Sequence, residues 1–337
     1  MKRAEYSRYL LHFKEDAGTS RGVLKEKETF FVKVWDESCP EVFGMGECAL
    51  FRGLSADDRK NYEEKLEEVC QRIEEVKMEE LEEWSSIRFG VEMALQDLAM
   101  GGRQLYFPSA FTEGRQAIEI NGLIWMGDKS TMLQRIQQKL EAGFHCIKLK
   151  IGAIDFEAEL SLLQYIRERF SREKVELRVD ANGAFAPEEA MSKLEALAAF
   201  GLHSIEQPIR QGQWEEMAHL CRETPIPIAL DEELIGVYGR KKKLELLEKV
   251  QPQYIILKPA LCGGFSGARE WIELAEKRGI GWWVTSALES NIGLNALAQW
   301  VATLGNPMPQ GLGTGQLYTN NLWSPLRQEG ECLIYGK

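Results

Sequence analysis

Apolar residues in this chain follow two different periods. Near the N-terminus, YSRYLLHFK (6–14), TFFVKVWD (29–36) and VFGMGECAL (42–50) are rich in aromatic and β-branched residues and predict three strands. The Gly/Ser/Thr-rich loop EDAGTSRG separates the first two. Over residues 57–83 the period changes. Tyr62, Leu66, Val69, Ile73 and Val76 recur at spacings of 4, 3, 4 and 3, which predicts a helix with one apolar stripe. SSIRFGVEMALQDLAM (85–100) predicts a second helix, with Ser85 or Ser86 placed to cap it. Three strands followed by two helices suggest a small α+β domain over residues 1–115.

Beyond residue 115 short strand-like runs recur: AIEINGL (117–123), CIKLKIG (146–152), ELRVDANG (176–183), HSIEQPI (203–209), IPIALDE (226–232), YIILKPA (254–260), GWWVTSA (281–287) and QGLGTG (310–315). Helical stretches fill most gaps, and the recurrence of about 25–30 residues is that of a βα unit, so eight units predict a (β/α)8-type barrel. A doubly wound open sheet is the competing layout. It is weakened by the lack of a GxGxxG fingerprint after the opening strands. Trp282 and Trp283 read as barrel packing, one facing in and one out.

Composition narrows the class. A chain of 337 residues calls for two domains or one large barrel with an appendage, and 44% hydrophobic with 28% charged residues is globular. A net charge of −11 argues against nucleic acid or an anionic membrane as partner. Residues 57–83 hold 12 acidic and 5 basic side chains of that balance, which reads as a solvated helix face. Seven scattered cysteines with no CxxC or Cys/His spacing predict reduced thiols rather than a zinc site. Without a signal-like or membrane-length apolar run, the expected location is the cytoplasm.

In a barrel of this kind the chemistry gathers at the C-terminal strand ends. There the second run delivers Lys148 and Lys150, the third Asp180 with Asn182, the fourth Glu206, the fifth Asp231 with Glu232, and the sixth Lys258. Three carboxylates converging on one mouth repel each other unless a cation lies between them. Oxygen ligands without Cys or His favour Mg²⁺, with Mn²⁺ as substitute, so Asp180, Glu206 and Asp231 are the expected metal ligands. In the alternative, the lysines are simply ion-pair partners for the carboxylates. Lysines flanking a metal suit proton abstraction beside a carboxylate, because the cation stabilises the resulting enediolate.

This residue set resembles the muconate-lactonising subgroup of the enolase superfamily: the KLK of 148–150, acids on strands three to five, and a lysine on strand six. Within the subgroup, INGLIW (120–125), DANGAF (180–185), SALESNIGLNALAQW (286–300) and GLGTGQLYTNNL (311–322) are similar to the o-succinylbenzoate synthase family. The resemblance implies an N-terminal capping domain over a modified (β/α)7β barrel spanning 116–315, with the segment 316–337 returning to the cap. It implies a metal-dependent dehydration of 2-succinyl-6-hydroxy-2,4-cyclohexadiene-1-carboxylate to 2-succinylbenzoate, in menaquinone biosynthesis. Lys150 would be the base and then the acid, Lys258 would face the opposite side of the ring, and Lys148 would assist. Asn182 and Glu232 would support the metal ligands. Ser286, Glu289, Gly311 and Gly313 would meet the small-molecule carboxylate substrate, and Arg21 and Phe51 (the latter with Arg52) would reach it from two capping loops.

The same lysines would serve an N-succinylamino-acid racemase or a dipeptide epimerase of this subgroup, or a muconate cycloisomerase. Dipeptide epimerases carry an Asp-x-Asp on strand eight, where this chain reads GLGTG. A non-catalytic enolase-fold binding protein would tolerate loss of ligands or lysines, and all are present here.

Overall fold

The computed structural model describes residues 1–19 and 22–336. Strands β1 (Lys2–Thr19), β2 (Gly22–Asp36) and β3 (Cys39–Cys48) form an antiparallel sheet with β2 in the middle. The pleat sends Phe30, Val32 and Val34 into a core shared with helices α1 (Tyr62–Gln71) and α2 (Ser85–Ala99), while Phe31 joins the core of the barrel. Sheet and α2 meet backbone to backbone: a Cβ at Gly46 would lie 1.9 Å from Gly90 O, so only glycine fits.

Two helix expectations need correction. The predicted stripe stays buried as far as Ile73, but α1 ends at Gln71. Its first turn carries Glu63 and Glu64 and its last turn no base, so prolonging it would set Glu74 and Glu75 at the negative end of the helix dipole. In α2 the N-cap position falls to Trp84, without a side-chain cap, and neither Ser85 nor Ser86 fills that role. Asp57 does so from the preceding loop: its Oδ2 accepts from Ser86 N (2.9 Å) and Ser86 Oγ (2.7 Å).

The run 117–123 divides. β4 (Ile118–Glu119) pairs antiparallel with a C-terminal strand, and β5 (Gly122–Ile124) opens the barrel. After α3 (Lys129–Glu141) come β6 (Cys146–Lys150) and α4 (Phe156–Arg167), then β7 (Glu176–Asp180) and α5 (Pro187–Ala198). β8 (Ser204–Glu206) and α6 (Trp214–Glu223) are followed by β9 (Ile228–Leu230) and α7 (Arg240–Val250). β10 (Tyr254–Leu257), α8 (Gly264–Glu276), β11 (Gly281–Val284) and α9 (Asn291–Ala302) complete the series. β5 to β11 form one parallel sheet in chain order. The eighth position is reduced to Gln310 and Gly311, which bridge Ile120 on one side and Thr285 on the other and so close the barrel. Trp282 lies in the layer between strands and helices, whereas Trp283 faces inward onto Ala229 and Ile256.

After the barrel the chain divides its contacts. Tyr318 bridges Phe13 of β1, and the hairpin β12 (Leu326–Glu329) and β13 (Cys332–Tyr335) pairs with β4. All seven cysteines are free thiols, and among the described residues no helix is long and apolar enough to cross a membrane.

Candidate active site

Parallel register puts the charged strand ends side by side. Lys150 of β6 lies opposite Asp180 of β7, and Asp180 opposite Glu206 of β8. Asp231 follows β9 and Lys258 follows β10, so the charges form an arc around the mouth of the barrel. Alternation accounts for the selection, since every second residue of these strands points inward.

The lysines and acids are in contact. Lys148 Nζ lies 3.0 Å from Asp180 Oδ2 and also bonds Glu206 Oε2. Lys150 Nζ donates to Asp180 Oδ2 (3.0 Å) and Asn182 Oδ1 (2.7 Å). Lys258 Nζ bonds Asp231 Oδ2. Asn182, at φ 46°, has its backbone N–H on Asp180 Oδ1 and its amide on Glu232 Oε1. Among the described residues no three His, Cys, Asp or Glu side chains make a ready metal cage, because ammonium groups stand between the carboxylates.

The electrostatics are unequal across the arc. Burial raises the Asp180 carboxyl, but the ammoniums of Lys148, Lys150 and Lys258 outweigh it and hold the group well below its ordinary range. Glu206 goes the other way: burial and then the Asp180 charge push it well above, against the pull of Lys148. Its Oε1 is buried with no hydrogen-bond partner. Burial lowers Lys148 and Lys258, yet their carboxylate neighbours prevail and the net shift of both is upward. Glu206 is therefore the carboxylate whose charge its surroundings compensate least, and its unpartnered oxygen is of the kind a hard divalent cation takes.

Except for Glu206 and Asp231, which are not among its lining residues, these groups line an open pocket. Lys148, Lys150, Asp180, Asn182, Glu232 and Lys258 form its charged floor, and Phe51, Ser286, Gly311 and Gly313 are in its walls. Two expected contacts lie elsewhere or act differently. Glu289 is completely buried behind the wall, where its Oε2 accepts from Ser286 Oγ (2.5 Å) and Ala287 N (2.8 Å). Ser286 Oγ gives its proton to Glu289 and accepts from Leu288 N and Thr314 Oγ1, so it shapes the wall with no hydrogen left to offer. Arg21 lies outside the described residues. Arg52 points away from the pocket, to Glu28 and to Asp58 Oδ1 (2.7 Å), and pins the loop that presents Phe51 and Leu54.

Sequence reasoning missed several wall residues. Asn121, Leu123 and Trp125 line the pocket at alternate positions through β5, a period visible in NGLIW. Gln207 at φ 40° was also missed: its Oε1 accepts from Asp231 N and Glu233 N, 3.2 Å each, and so places Asp231. The Gln-Pro pair after Glu206 was its only signal.

Residues 131–330 match the enolase C-terminal domain-like family. An o-succinylbenzoate synthase of Desulfotalea psychrophila is 49% identical, with 97% of each chain covered. The crystal structure of MenC from that organism superposes with a TM-score of 0.87 at 45% identity over 99% of each chain. An L-Ala-D/L-Glu epimerase of Bacillus subtilis, solved with substrate, shares the fold with a TM-score of 0.83 at 22% identity over 99% of this chain and 95% of its own. With its barrel, its cap and its arc of lysines and acids, the chain belongs to the enolase superfamily and, within it, to the o-succinylbenzoate synthase family.

Proposed function

We propose that this enzyme is a hydro-lyase that converts 2-succinyl-6-hydroxy-2,4-cyclohexadiene-1-carboxylate to 2-succinylbenzoate, in keeping with its 49% identity to an o-succinylbenzoate synthase. The observation that carries the reading is that Lys150 and Lys258 enter one pocket from strands on either side of three acid-bearing strands. Enolase-superfamily enzymes are metal dependent. Asp180, Glu206 and Asp231 would hold the ion, Mg²⁺ by their all-oxygen donor set, and the unpartnered Glu206 Oε1 fits that role. When bound, the ion supplies Lewis-acid stabilisation of the substrate carboxylate as negative charge develops on it.

The chain's own groups account for the rest. Lys150 Nζ takes the proton from the ring carbon that bears the carboxylate. It then returns that proton to the hydroxyl on the neighbouring carbon as the C–O bond breaks, so water leaves and the ring becomes aromatic. Both transfers occur on one face, which makes the elimination syn. Lys258 Nζ faces the ring from the other side, where an ammonium favours the electron-rich face. Lys148 pairs with Asp180 and Glu206 and favours their ionised forms, and Asn182 orients Lys150.

An ultraviolet progress curve tests this reading. With Mg²⁺ the absorbance of the conjugated diene disappears, and EDTA or Lys150→Ala abolishes the loss. No turnover by metal-loaded enzyme would overturn the assignment, and α-proton exchange of N-succinylamino acids and dipeptides in D₂O would then be measured.

A further inference from the structure

β2 has a lysine at a position built for an apolar residue. Lys27, Thr29 and Phe31 share the strand face toward the barrel, and all three are buried. Lys27 is 6% exposed, and its Nζ has no hydrogen-bond partner among the described residues. A buried ammonium is costly unless charge compensates it. Burial lowers the pKa of the Lys27 ammonium from its ordinary value, and the carboxylates that oppose the shift without bonding it are Glu47 of β3, Glu289 before α9, and Glu28 beside it on β2.

Glu47 and Glu289 hold the pocket wall from behind. Glu47 Oε1 accepts from Thr29 Oγ1 (2.8 Å) and Ser290 N (2.9 Å); its Oε2 accepts from Ser290 Oγ (2.6 Å) and Gly293 N (2.9 Å). Glu289 Oε2 fixes Ser286 and Ala287, and its Oε1 is buried without a partner. Between them Leu288 stands at φ 62°, a left-handed conformation that a branched residue keeps only under constraint. Two buried carboxylates thus hold a strained piece of wall, and Lys27, buried on the same strand face as the Thr29 that bonds Glu47, is an unpartnered cation near both.

We propose that Lys27 is a positioning residue for substrate recognition: its ammonium balances Glu47 and Glu289, which in turn fix the Ser286–Leu288 wall of the pocket. The capping sheet thereby sets the shape of a wall that belongs to the barrel. The wall takes no part in proton transfer, so losing its order weakens binding of the substrate more than it slows the chemistry. The kinetic arm of the test rests on the reaction proposed above; the exchange arm does not.

The test compares wild type, Lys27→Met and Lys27→Met/Glu289→Gln, all loaded with Mg²⁺. For Lys27→Met, KM rises about tenfold while kcat stays within about threefold. Amide exchange of Ala287, Leu288, Ser290 and Gly293 accelerates, while β6 to β10 keep their protection. In the double variant, Gln still accepts from Ser286 and Ala287 but adds no charge, so KM and exchange return most of the way to wild type. Unchanged KM with a uniform loss of protection would overturn the proposal, as would a double variant no better than the single one. If Lys27→Met does not fold, the double variant must fold with a protected wall, and its failure to do so also overturns it. If wild type does not turn the diene over, the reaction reading fails, and the exchange comparison alone decides the role of Lys27.

Discussion

Replacing Asp57 by Asn isolates one buried charge. Asp57 closes the loop that presents Phe51 and Leu54 onto the start of α2, through Ser86 N and Ser86 Oγ, and its Oδ1 has no hydrogen-bond partner. Burial pushes its carboxyl from 3.8 up to about 6, against the opposing pull of Ser86 and Arg59. A rise of about 2 units, at about 1.4 kcal/mol each, puts about 3 kcal/mol of destabilisation on the ionised form. The folded state holds this proton more tightly than the unfolded one, so the contribution is favourable below pH 3.8 and is lost as pH climbs through about 6. Asn keeps the acceptor for Ser86 and has no proton to lose. The stability of Asp57→Asn relative to wild type therefore grows by about 2.5 kcal/mol between pH 4 and 7, the rest of the change lying below pH 4, and is flat above. Urea unfolding followed by circular dichroism, at steps from pH 4 to 8, measures that difference. Other titrating groups are common to both proteins and cancel. A difference that stays constant over the window, or shrinks, refutes the reasoning.

Glu206→Gln removes the carboxylate that burial and Asp180 disfavour most. Mg²⁺ at a hundredfold over its Kd stabilises wild type by about 2.7 kcal/mol in thermal unfolding, and the variant loses that response. Gly311→Ala would place a Cβ 2.4 Å from Thr285 Oγ1, where the eighth strand closes the barrel. Denaturation should show a loss of about 1–3 kcal/mol from overpacking, with turnover reduced alongside. Arg52→Met releases the loop of Phe51 and Leu54 from Glu28 and Asp58. These pairs are partly exposed, so stability changes by less than about 1 kcal/mol while KM for the diene rises.

The charged residues of the candidate site are legible because each lies on or just after a strand whose alternation and flanking turns are local signals. Lys150, Asp180 and Glu206 could be placed side by side from repeat position alone, and register puts them there. What escaped depends on contacts distant in sequence. No pattern near Glu289 shows that Ser286 occupies one of its oxygens, or that Lys27, more than 250 residues earlier, shares its burial. Adjacency in sequence points to Ser85 or Ser86 as the cap of α2, whereas Asp57 reaches it across 29 residues. The run 117–123 reads as one strand by propensity, yet tertiary pairing divides it between the C-terminal hairpin and the barrel.

The closure of the barrel has a consequence for biosynthesis. Ile120 meets Gln310 across 190 residues of chain, and the pocket needs Asn121 and Leu123 from one side of that seam with Gly313 and Thr314 from the other. While the ribosome is still making the last βα units, the lysines and acids of β6 to β10 can already be neighbours, but the cup around them stays open. Such an intermediate exposes strand edges at β5 and β11 that the finished molecule hides, and it has a high contact order still to overcome. The pocket is therefore incomplete until the final strand arrives, and the open edges leave that interval exposed to pairing with another copy.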